Sequence, residues 1–587
     1  MRLKKIISAV LTMAVMPVVP LVHAENETKL FDKVYDMKSV KPDGENGIVL
    51  MEDVPDGDYE VRVNTGGDTE TNANIYINGG ERVRTYTLEA GKTQENVQRA
   101  VPKNGKIEVK ILGENPNVTD IEITQIENRT SAGEKPTIYI AGDSTAQTYN
   151  YEKAYPQTGW GQVFSDFFTN DIVVDNRSMG GRSSKSYDND GRLDSILTEM
   201  HPGDYVFIQF GINDGAENKP ERYISVEDYK ELIKNKYIGE VKKRGGIPVL
   251  LTATAASWWD EENSCFMDSR QDYAVPTREI ANETGVNFID ANELITEKWN
   301  TMQKKDVLNG YFICEPLESK AYQTGTDDHT HLKQKGAKTI AEIIANALPD
   351  CVPELAKYLK KSMELVDIKG HWGENKIAEL NKLGFIEGDE NGNFMPDKEV
   401  TRAEYLNMVM NVCGITGHAY RDGECLDTKQ TDWYCYMLQS ALDKGLIPPT
   451  MINNCKGTES IEKILSEASE DKEAVKVTVT SYIPPDGSVL SFDGNKPITR
   501  EEMAALTVNC FSYMVKNSDK KLDIKSNLNN GEFSDLSEIK PEYRNTVESA
   551  YGYGIISGMG DGTFRPNDFL TKAQAAAALY PVLKISE

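Results

Sequence analysis

Thr137-Ile-Tyr-Ile-Ala-Gly-Asp-Ser-Thr145 decides how the centre of this chain folds. A short apolar run ends at Gly142, where the chain can turn, and the polar residues Asp143 and Ser144 follow. Apolar runs of this length fit a strand buried on both faces. Four more lie downstream: Ile172-Val-Val-Asp175, Tyr205-Val-Phe-Ile-Gln-Phe210, Ile247-Pro-Val-Leu-Leu251 and Val286-Asn-Phe-Ile-Asp290. Helix-period segments such as Val226 to Lys243 and Thr277 to Thr284 separate them. The alternation predicts an α/β/α domain over residues 135–350, with a five-stranded parallel sheet covered on both faces. In such sheets chemistry sits outside the carboxyl ends of the strands.

Toward the N-terminus the rhythm changes. Residues 25–130 hold alternating runs such as Tyr59-Glu-Val-Arg-Val63, Ala73-Asn-Ile-Tyr-Ile77 and Ile107-Glu-Val-Lys-Ile111, parted by Asp-Gly, Gly-Gly and Asn-Gly turns. Even spacing without a helical period predicts an antiparallel β-sandwich. The run Asp56-Gly-Asp-Tyr-Glu-Val61 resembles galactose-binding-like jelly rolls, which implies either a sugar-binding module or a spacer. Before it, Arg2, Lys4 and Lys5 precede an apolar stretch from Ile6 to Val22 that is broken by Pro17 and Pro20. Val22-His23-Ala24 then offers small residues at both cleavage-reading positions, so residues 1–24 read as a signal peptide. No later run is apolar and long enough to span a bilayer, and a secreted protein is expected.

Residues 366–587 repeat themselves. Gly370-His-Trp372, Gly384-Phe-Ile-Glu-Gly388, Asn391-Gly-Asn-Phe394 and Val400-Thr-Arg-Ala-Glu404 make the first copy, 366–415. Asp432-Trp433, Ala441-Leu-Asp-Lys-Gly445 and Ile498-Thr-Arg-Glu-Glu502 recur in the second, 419–515. Ala550 to Gly554, Asp561-Gly-Thr-Phe564 and Leu570-Thr-Lys-Ala-Gln574 form the third, 533–587. The second copy is stretched by roughly forty residues after Gly445, an insertion that an exposed loop accommodates at modest entropic cost. These copies resemble S-layer homology (SLH) repeats. The resemblance implies a helical three-repeat module bound to secondary cell-wall polysaccharide, so that the protein sits non-covalently on the cell wall. Trp372, Arg402, Trp433 and Arg500 are then its candidate sugar contacts, although the same residues also serve to cap and pack repeats. The third copy departs, with Lys572 for Arg, Gln574 for Glu, and Glu542 at the tryptophan position.

The α/β region carries four polar blocks, each after a strand or before a helix. Gly142-Asp-Ser144 follows the first strand and Gly180-Gly-Arg182 the second. Gly211-Ile-Asn-Asp214 follows the third, and Asp328-His-Thr-His331 precedes the helical run Gln334 to Leu348. Asp328 and His331, three apart in a turn, can set a carboxylate against an imidazole and leave its other nitrogen to take a serine proton. In this order the blocks resemble the SGNH (GDSL) hydrolases, whose fold is flavodoxin-like. More narrowly, Ala141-Gly-Asp-Ser-Thr145, Gly181-Arg-Ser-Ser-Lys-Ser-Tyr187, Phe210-Gly-Ile-Asn-Asp-Gly215 and Asp328-His-Thr-His331 are similar to rhamnogalacturonan acetylesterases of carbohydrate esterase family twelve. The resemblance implies Ser144 as nucleophile, His331 as base and Asp328 as its partner. It further implies an oxyanion hole from the N–H groups of Ser144 and Gly181 and the Asn213 amide. The expected activity is removal of O-acetyl groups from plant cell-wall polysaccharide, pectic rhamnogalacturonan first. Acetylxylan, the producer's own acetylated envelope, and a non-catalytic surface-display protein are the competing readings.

Composition narrows the partners. Lys and Arg number 65 against 92 Asp and Glu in 587 residues, a net charge of -27 that argues against nucleic acid and anionic membranes. The eight cysteines include no CxxC pair, and no zinc spacing occurs. One disulfide among Cys413, Cys425, Cys435 and Cys455 is compatible with export. No cofactor and no metal are expected. His201, His329, His371 and His418 read as structural, and Trp160, Trp258 and Trp259 as either core or cleft lining.

Overall fold

The computed structural model describes residues 30–42, 47–360, 365–389, 392–421, 427–466, 475–485, 490–516 and 533–586. The expected signal peptide and Cys425 lie outside the described residues. No helix among them is long and apolar enough to cross a membrane. The chain divides between Asn128 and Arg129 into two compact units, residues 80–82 counting with the second.

The first unit holds eight strands: β1 (Asp32–Asp36), β2 (Ile48–Asp53), β3 (Asp58–Gly66), β4 (Thr71–Ile77), β5 (Gly80–Leu88), β6 (Thr93–Ala100), β7 (Lys106–Asn115) and β8 (Val118–Ile126). They make two four-stranded sheets, ordered β1-β8-β3-β6 and β2-β7-β4-β5. Alternate residues of β3, β4, β7 and β8, among them Val61, Ile75, Val109 and Ile121, meet in one apolar core. Period-two alternation explains this, because it turns every second side chain to the same face. Asn104-Gly105, with positive φ at both residues, joins Lys103 to its bridge partner Lys106.

The second unit contains the predicted parallel sheet. Its strands are β9 (Thr137–Gly142), β10 (Val173–Asn176), β11 (Tyr205–Gln209), β12 (Ile247–Leu251) and β15 (Asn287–Ile289), ordered β10-β9-β11-β12-β15. A small hairpin, β13 (Trp259–Asp260) with β14 (Cys265–Phe266), lies outside it. All five predicted runs are strands. The helix expected over Val226 to Lys243 is regular over Val226–Leu232, widens to a π-helix over Ile233–Ile238 and resumes over Gly239–Lys243. Helix Gln334–Cys351 buries Ala337, Ile340, Ala341, Ile344 and Leu348, the three-four spacing of one helical face. These side chains share a core with Ile138 and Ile140 of β9 and Phe207 of β11.

Residues from 365 onward hold a separate apolar core. Helices Arg402–Val412, Arg500–Lys516 and Lys572–Ser586 start at one junction. There Val400 donates to Leu570, Leu570 to Ile498, and Ile498 back to Val400, at 2.9, 3.2 and 3.0 Å between backbone nitrogen and oxygen. The insertion after Gly445 differs from the expected loop. Its described part is a hairpin, β16 (Gly457–Ser466) with β17 (Val475–Ile483). Alternating β-branched residues in Val475-Lys-Val-Thr-Val-Thr480 favour the pleat and account for it. The seven described cysteines are all free, so no bridge joins Cys413, Cys435 and Cys455, and the disulfide that export would permit is not formed among them.

The loop that leads into Asp328 is braced from two sides. Glu318 meets Lys333 at 2.7 Å with both side chains nearly inaccessible, and Lys333 Nζ also donates to the carbonyls of Asn309 and Ile313. From the C-terminal region, Ala419 N donates to Leu317 O at 2.9 Å and Tyr436 packs on Tyr155 with ring centroids 4.0 Å apart. Glu318→Gln strips the counter-charge from a buried ammonium and is expected to cost about 3–5 kcal/mol. Urea unfolding followed through loss of esterase activity measures that cost, and an unchanged midpoint contradicts it.

Candidate active site

Ser144 sits two residues past the end of β9 in a turn shaped by Asp143, whose Oδ1 accepts the backbone N–H and the hydroxyl of Thr145, both at 2.8 Å. The turn brings Ser144 Oγ to 2.9 Å from His331 Nε2. His331 Nδ1 lies 2.7 Å from Asp328 Oδ2, while Asp328 Oδ1 accepts the backbone N–H groups of Thr330 and His331 at 2.8 and 2.9 Å. A carboxylate only accepts hydrogen bonds, so Nδ1 carries the proton and Nε2 turns its lone pair to the serine hydroxyl.

Electrostatics follow the geometry. Burial opposes ionisation of Asp328, but the bonds from the His331 ring and from the backbone of His331 and Thr330 outweigh it and hold the carboxyl down at about 2. The Asp328 hydrogen bond pushes the His331 imidazole above its ordinary value, against the opposing effect of burial.

The three groups expected to form the oxyanion hole each keep a hydrogen that no protein acceptor takes among the described residues. The backbone N–H groups of Ser144 and Gly181 have no acceptor among the described residues, whereas the Gly180 N–H is taken by Gln147 Oε1. Gly181 has φ of +71°, a conformation open to glycine without a Cβ penalty. Asn213 Nδ2 donates to Arg182 O at 3.0 Å, which holds the amide and leaves its second hydrogen unspent. The structure thus brings Ser144, Asp328 and His331 into hydrogen-bonding contact. It also links the Gly181 and Asn213 blocks through Arg182.

Residue patterns alone missed how the blocks are tied together. Asp214 is fully buried: Oδ1 accepts the Ser184 N–H at 2.9 Å and Oδ2 the Gly211 N–H at 2.9 Å, so it welds the third block to the second. Burial lifts its carboxyl to about 6 in spite of those bonds. Gln209, at the end of β11, accepts from Trp160 Nε1 at 2.8 Å and lies 3.3 Å from Thr145 Oγ1, which places Trp160 in the core and not in a cleft. His329 is tied to Ser257 through Nδ1 at 2.9 Å, outside the proton path. His201 is engaged by Arg129 and by the Ser131 carbonyl.

The sugar-contact candidates of the C-terminal region divide. Trp372 and Trp433 are 63% and 60% exposed. Arg402 is buried, ion-paired with Glu502 and bonded to the carbonyls of Met451 and Phe492, so its charge is neutralised inside the protein. Arg500 is also buried, donating to Phe564 O at 2.7 Å and Ser557 O at 3.2 Å and lying over the Phe564 ring. Their burial fits the packing role that the repeat pattern leaves open.

A parallel sheet with a Ser–His–Asp hydrogen-bonded chain at its carboxyl edge agrees with what family comparison gives. Residues 140–338 match the GDSL-like lipase/acylhydrolase family, and residues 365–406 and 532–576 match the S-layer homology domain. The chain belongs to the GDSL-like lipase/acylhydrolase family, and it is an esterase. It is 36% identical over 214 residues to a probable rhamnogalacturonan acetylesterase, YesY, of Bacillus subtilis, spanning 92% of that protein and 36% of this chain. A second B. subtilis protein, rhamnogalacturonan acetylesterase RhgT, is 29% identical over 89% of its length and 36% of this chain. Over 35% of this chain there is 24% identity to the surface-layer 125 kDa protein of Lysinibacillus sphaericus, covering 13% of that protein.

A base with a raised pKa loses its free lone pair as pH falls through that value, so kcat/KM should show an acidic limb set by His331. Removing the carboxylate in Asp328→Asn withdraws the cause of the rise. The limb should then move to lower pH while kcat drops by about 10⁴-fold. A pH–rate profile of nitrophenyl acetate cleavage that keeps its limb in place speaks against this coupling.

Proposed function

We propose that this protein is a cell-surface acetylesterase that removes O-acetyl groups from plant cell-wall polysaccharide, with pectic rhamnogalacturonan as its substrate. The observation that carries the reading is the hydrogen-bonded chain Asp328–His331–Ser144; the Ser144 and Gly181 N–H groups and the second Asn213 amide hydrogen, taken by no protein acceptor among the described residues, support it. Ser144 Oγ attacks the acetyl carbonyl carbon as His331 Nε2 takes its proton, giving a tetrahedral oxyanion. The N–H groups of Ser144 and Gly181 and the Asn213 amide receive that charge, the arrangement that stabilises such intermediates. The imidazolium returns its proton to the departing sugar oxygen, which leaves an acetyl-Ser144 ester. Water, deprotonated by the same nitrogen, then releases acetate and restores the hydroxyl. Asp328 stays ionised throughout and stabilises the charged ring. Two relatives named for rhamnogalacturonan acetylesterase activity, each aligned over about nine tenths of its length, support the substrate.

The module from 366 to 587 is proposed to anchor the enzyme to secondary cell-wall polysaccharide after export and loss of residues 1–24. The two SLH matches support it, and residues 419–515, between them, are read as the second, interrupted copy. Supporting that copy, Thr499 and Glu502 exchange capping bonds as Thr401 does with Glu404 and Thr571 with Gln574. Trp372 and Trp433, the exposed pair, are the proposed sugar contacts, and residues 25–130 form an appended sandwich.

Ser144→Ala should reduce acetate release from nitrophenyl acetate and from acetylated pectin by roughly 10⁶-fold. Near-native rates in that variant overturn the assignment. Acetylated xylan and acetylated wall material, assayed beside pectin, should be the poorer substrates. For anchoring, Trp372→Ala with Trp433→Ala should leave the protein in the supernatant when purified walls are sedimented; unchanged co-sedimentation removes these two rings from the binding surface.

A further inference from the structure

Arg270 stands apart from the other partly buried arginines of the α/β region. Arg177, Arg182, Arg244 and Arg278 are each ion-paired, with Asp175, Asp190, Glu240 and Asp290 respectively. Arg270 has no acid within ion-pair distance among the described residues, in a chain whose net charge is -27. Its Nη2 donates to Thr330 Oγ1 at 2.8 Å, inside the Asp328–His331 turn. Its Nε is buried with no acceptor, and Nη1 has no protein partner among the described residues. The guanidinium carbon lies 4.5 Å from the centre of the Trp258 ring, and Trp258 is itself 38% exposed.

The backbone singles out the same residue. Arg270 has φ of +67° at the start of helix Gln271–Thr284, a left-handed conformation that a long side chain seldom adopts and that tends to mark functional positions. An indole face holds a guanidinium flat and in one place, so less freedom is lost when the fork meets an anion. Burial opposes its charge, and Asp143 and Asp328 favour that charge only from beyond ion-pair distance, so among the described residues no carboxylate reaches the fork itself. Beside the oxyanion glycine a second guanidinium is at hand: a Cβ placed on Gly181 would lie 3.2 Å from Arg222 Nη2.

We propose that Arg270, stacked on Trp258 next to the catalytic turn, receives the carboxylate of a uronic acid residue adjoining the acetylated sugar, so that the enzyme selects anionic over neutral acetylated polysaccharides. This rests on the acetylesterase reading above and names the substrate class within it. The carboxylate meets Nη1 as a charge-assisted hydrogen bond, and Trp258 offers its exposed edge to the same sugar. Arg270 is a specificity residue: it takes no proton and forms no bond to the acetyl group.

Short unacetylated oligogalacturonate tests this as an inhibitor of nitrophenyl acetate cleavage. The native protein should be inhibited competitively, with a Ki that rises with salt. Arg270→Gln should raise that Ki at least tenfold, and Arg270→Lys, which keeps the charge and loses the fork, should fall between. Methyl-esterifying the oligomer should cost the native protein a similar factor and Arg270→Gln less than twofold. A Ki that is unchanged in Arg270→Gln, or equal for the free and methyl-esterified oligomers, overturns the assignment. Inhibition that depends on Arg270 without acetate release from acetylated pectin leaves the carboxylate site standing and removes the proposed substrate. Acetate release with an Arg270-independent Ki does the reverse.

Discussion

Everything at the site follows from one constraint, the position of β9 between β10 and β11. The chain leaves β9 toward one neighbour and returns two strands later on the other side. Connections at the carboxyl ends of β9 and β11 therefore diverge and open a crevice between them. The turn after β9 delivers Ser144, and the turn after β11 delivers Asn213 and Asp214. Neither turn is free-standing. Asp143 clamps the first through Thr145, Asp214 ties the second to Ser184 and Gly211, and Gln209 joins the two strand ends through Thr145 and Trp160. Buried polar groups are costly without partners; here Asp214 Oδ1 accepts the Ser184 N–H of the neighbouring block, while Asp214 Oδ2 and Asp143 Oδ1 accept N–H groups of their own blocks. Ser144 is located by a sheet and a set of buried acceptors, with its own hydroxyl left to His331.

The sheet was readable because strands buried on both faces are short and apolar and the segments between them carry a helical period. The contact of Asp328 with His331 was readable because the two are local, three residues apart, so spacing alone puts carboxylate against ring. Gly181 was separable from Gly180 only through the resemblance; in the structure the distinction is physical, since Gln147 occupies the Gly180 N–H. Other features leave little trace in one sequence. Arg270 lies in an unremarkable stretch, Ser269-Arg-Gln271, and acquires meaning only when the fold folds Trp258 beneath it and Thr330 beside it. The pairing of β16 with β17 was hidden because an insertion is recognised by what it interrupts, although the alternating β-branched residues of β17 did carry the signal.

The C-terminal arginines show the limit of reading function from repetition. A repeated cation is expected both where a ligand is bound and where copies lock together. Arg402 is the first residue of its helix and pairs with Glu502, the third residue of the next one. Lys572 stands at the first position of the last helix and lies 3.9 Å from Glu404, the third residue of the first. The same first-to-third pattern cannot close a third time, because Gln574 brings no charge, and Arg500 is held by carbonyls and the Phe564 ring instead. Repetition at these positions is thus accounted for by packing, whereas Trp372 and Trp433 stand exposed.

This packing bears on catalysis as well as on location. The loop between Phe312 and Asp328 has to be ordered for His331 to meet Ser144, yet it contains no regular secondary structure of its own. Its order comes from outside: the buried Glu318–Lys333 pair fixes its base to the helix that follows His331, and Ala419 of the C-terminal region bonds its backbone at Leu317. Tyr436 against Tyr155, and Lys444 at 3.6 Å from Glu315, extend the same contact. A segment held by few local bonds samples open states easily, and each outside contact lowers their population. The C-terminal region thus contributes to the alignment of His331 with Ser144, and a chain cut between the two regions would lose part of that support even where the α/β core stays folded.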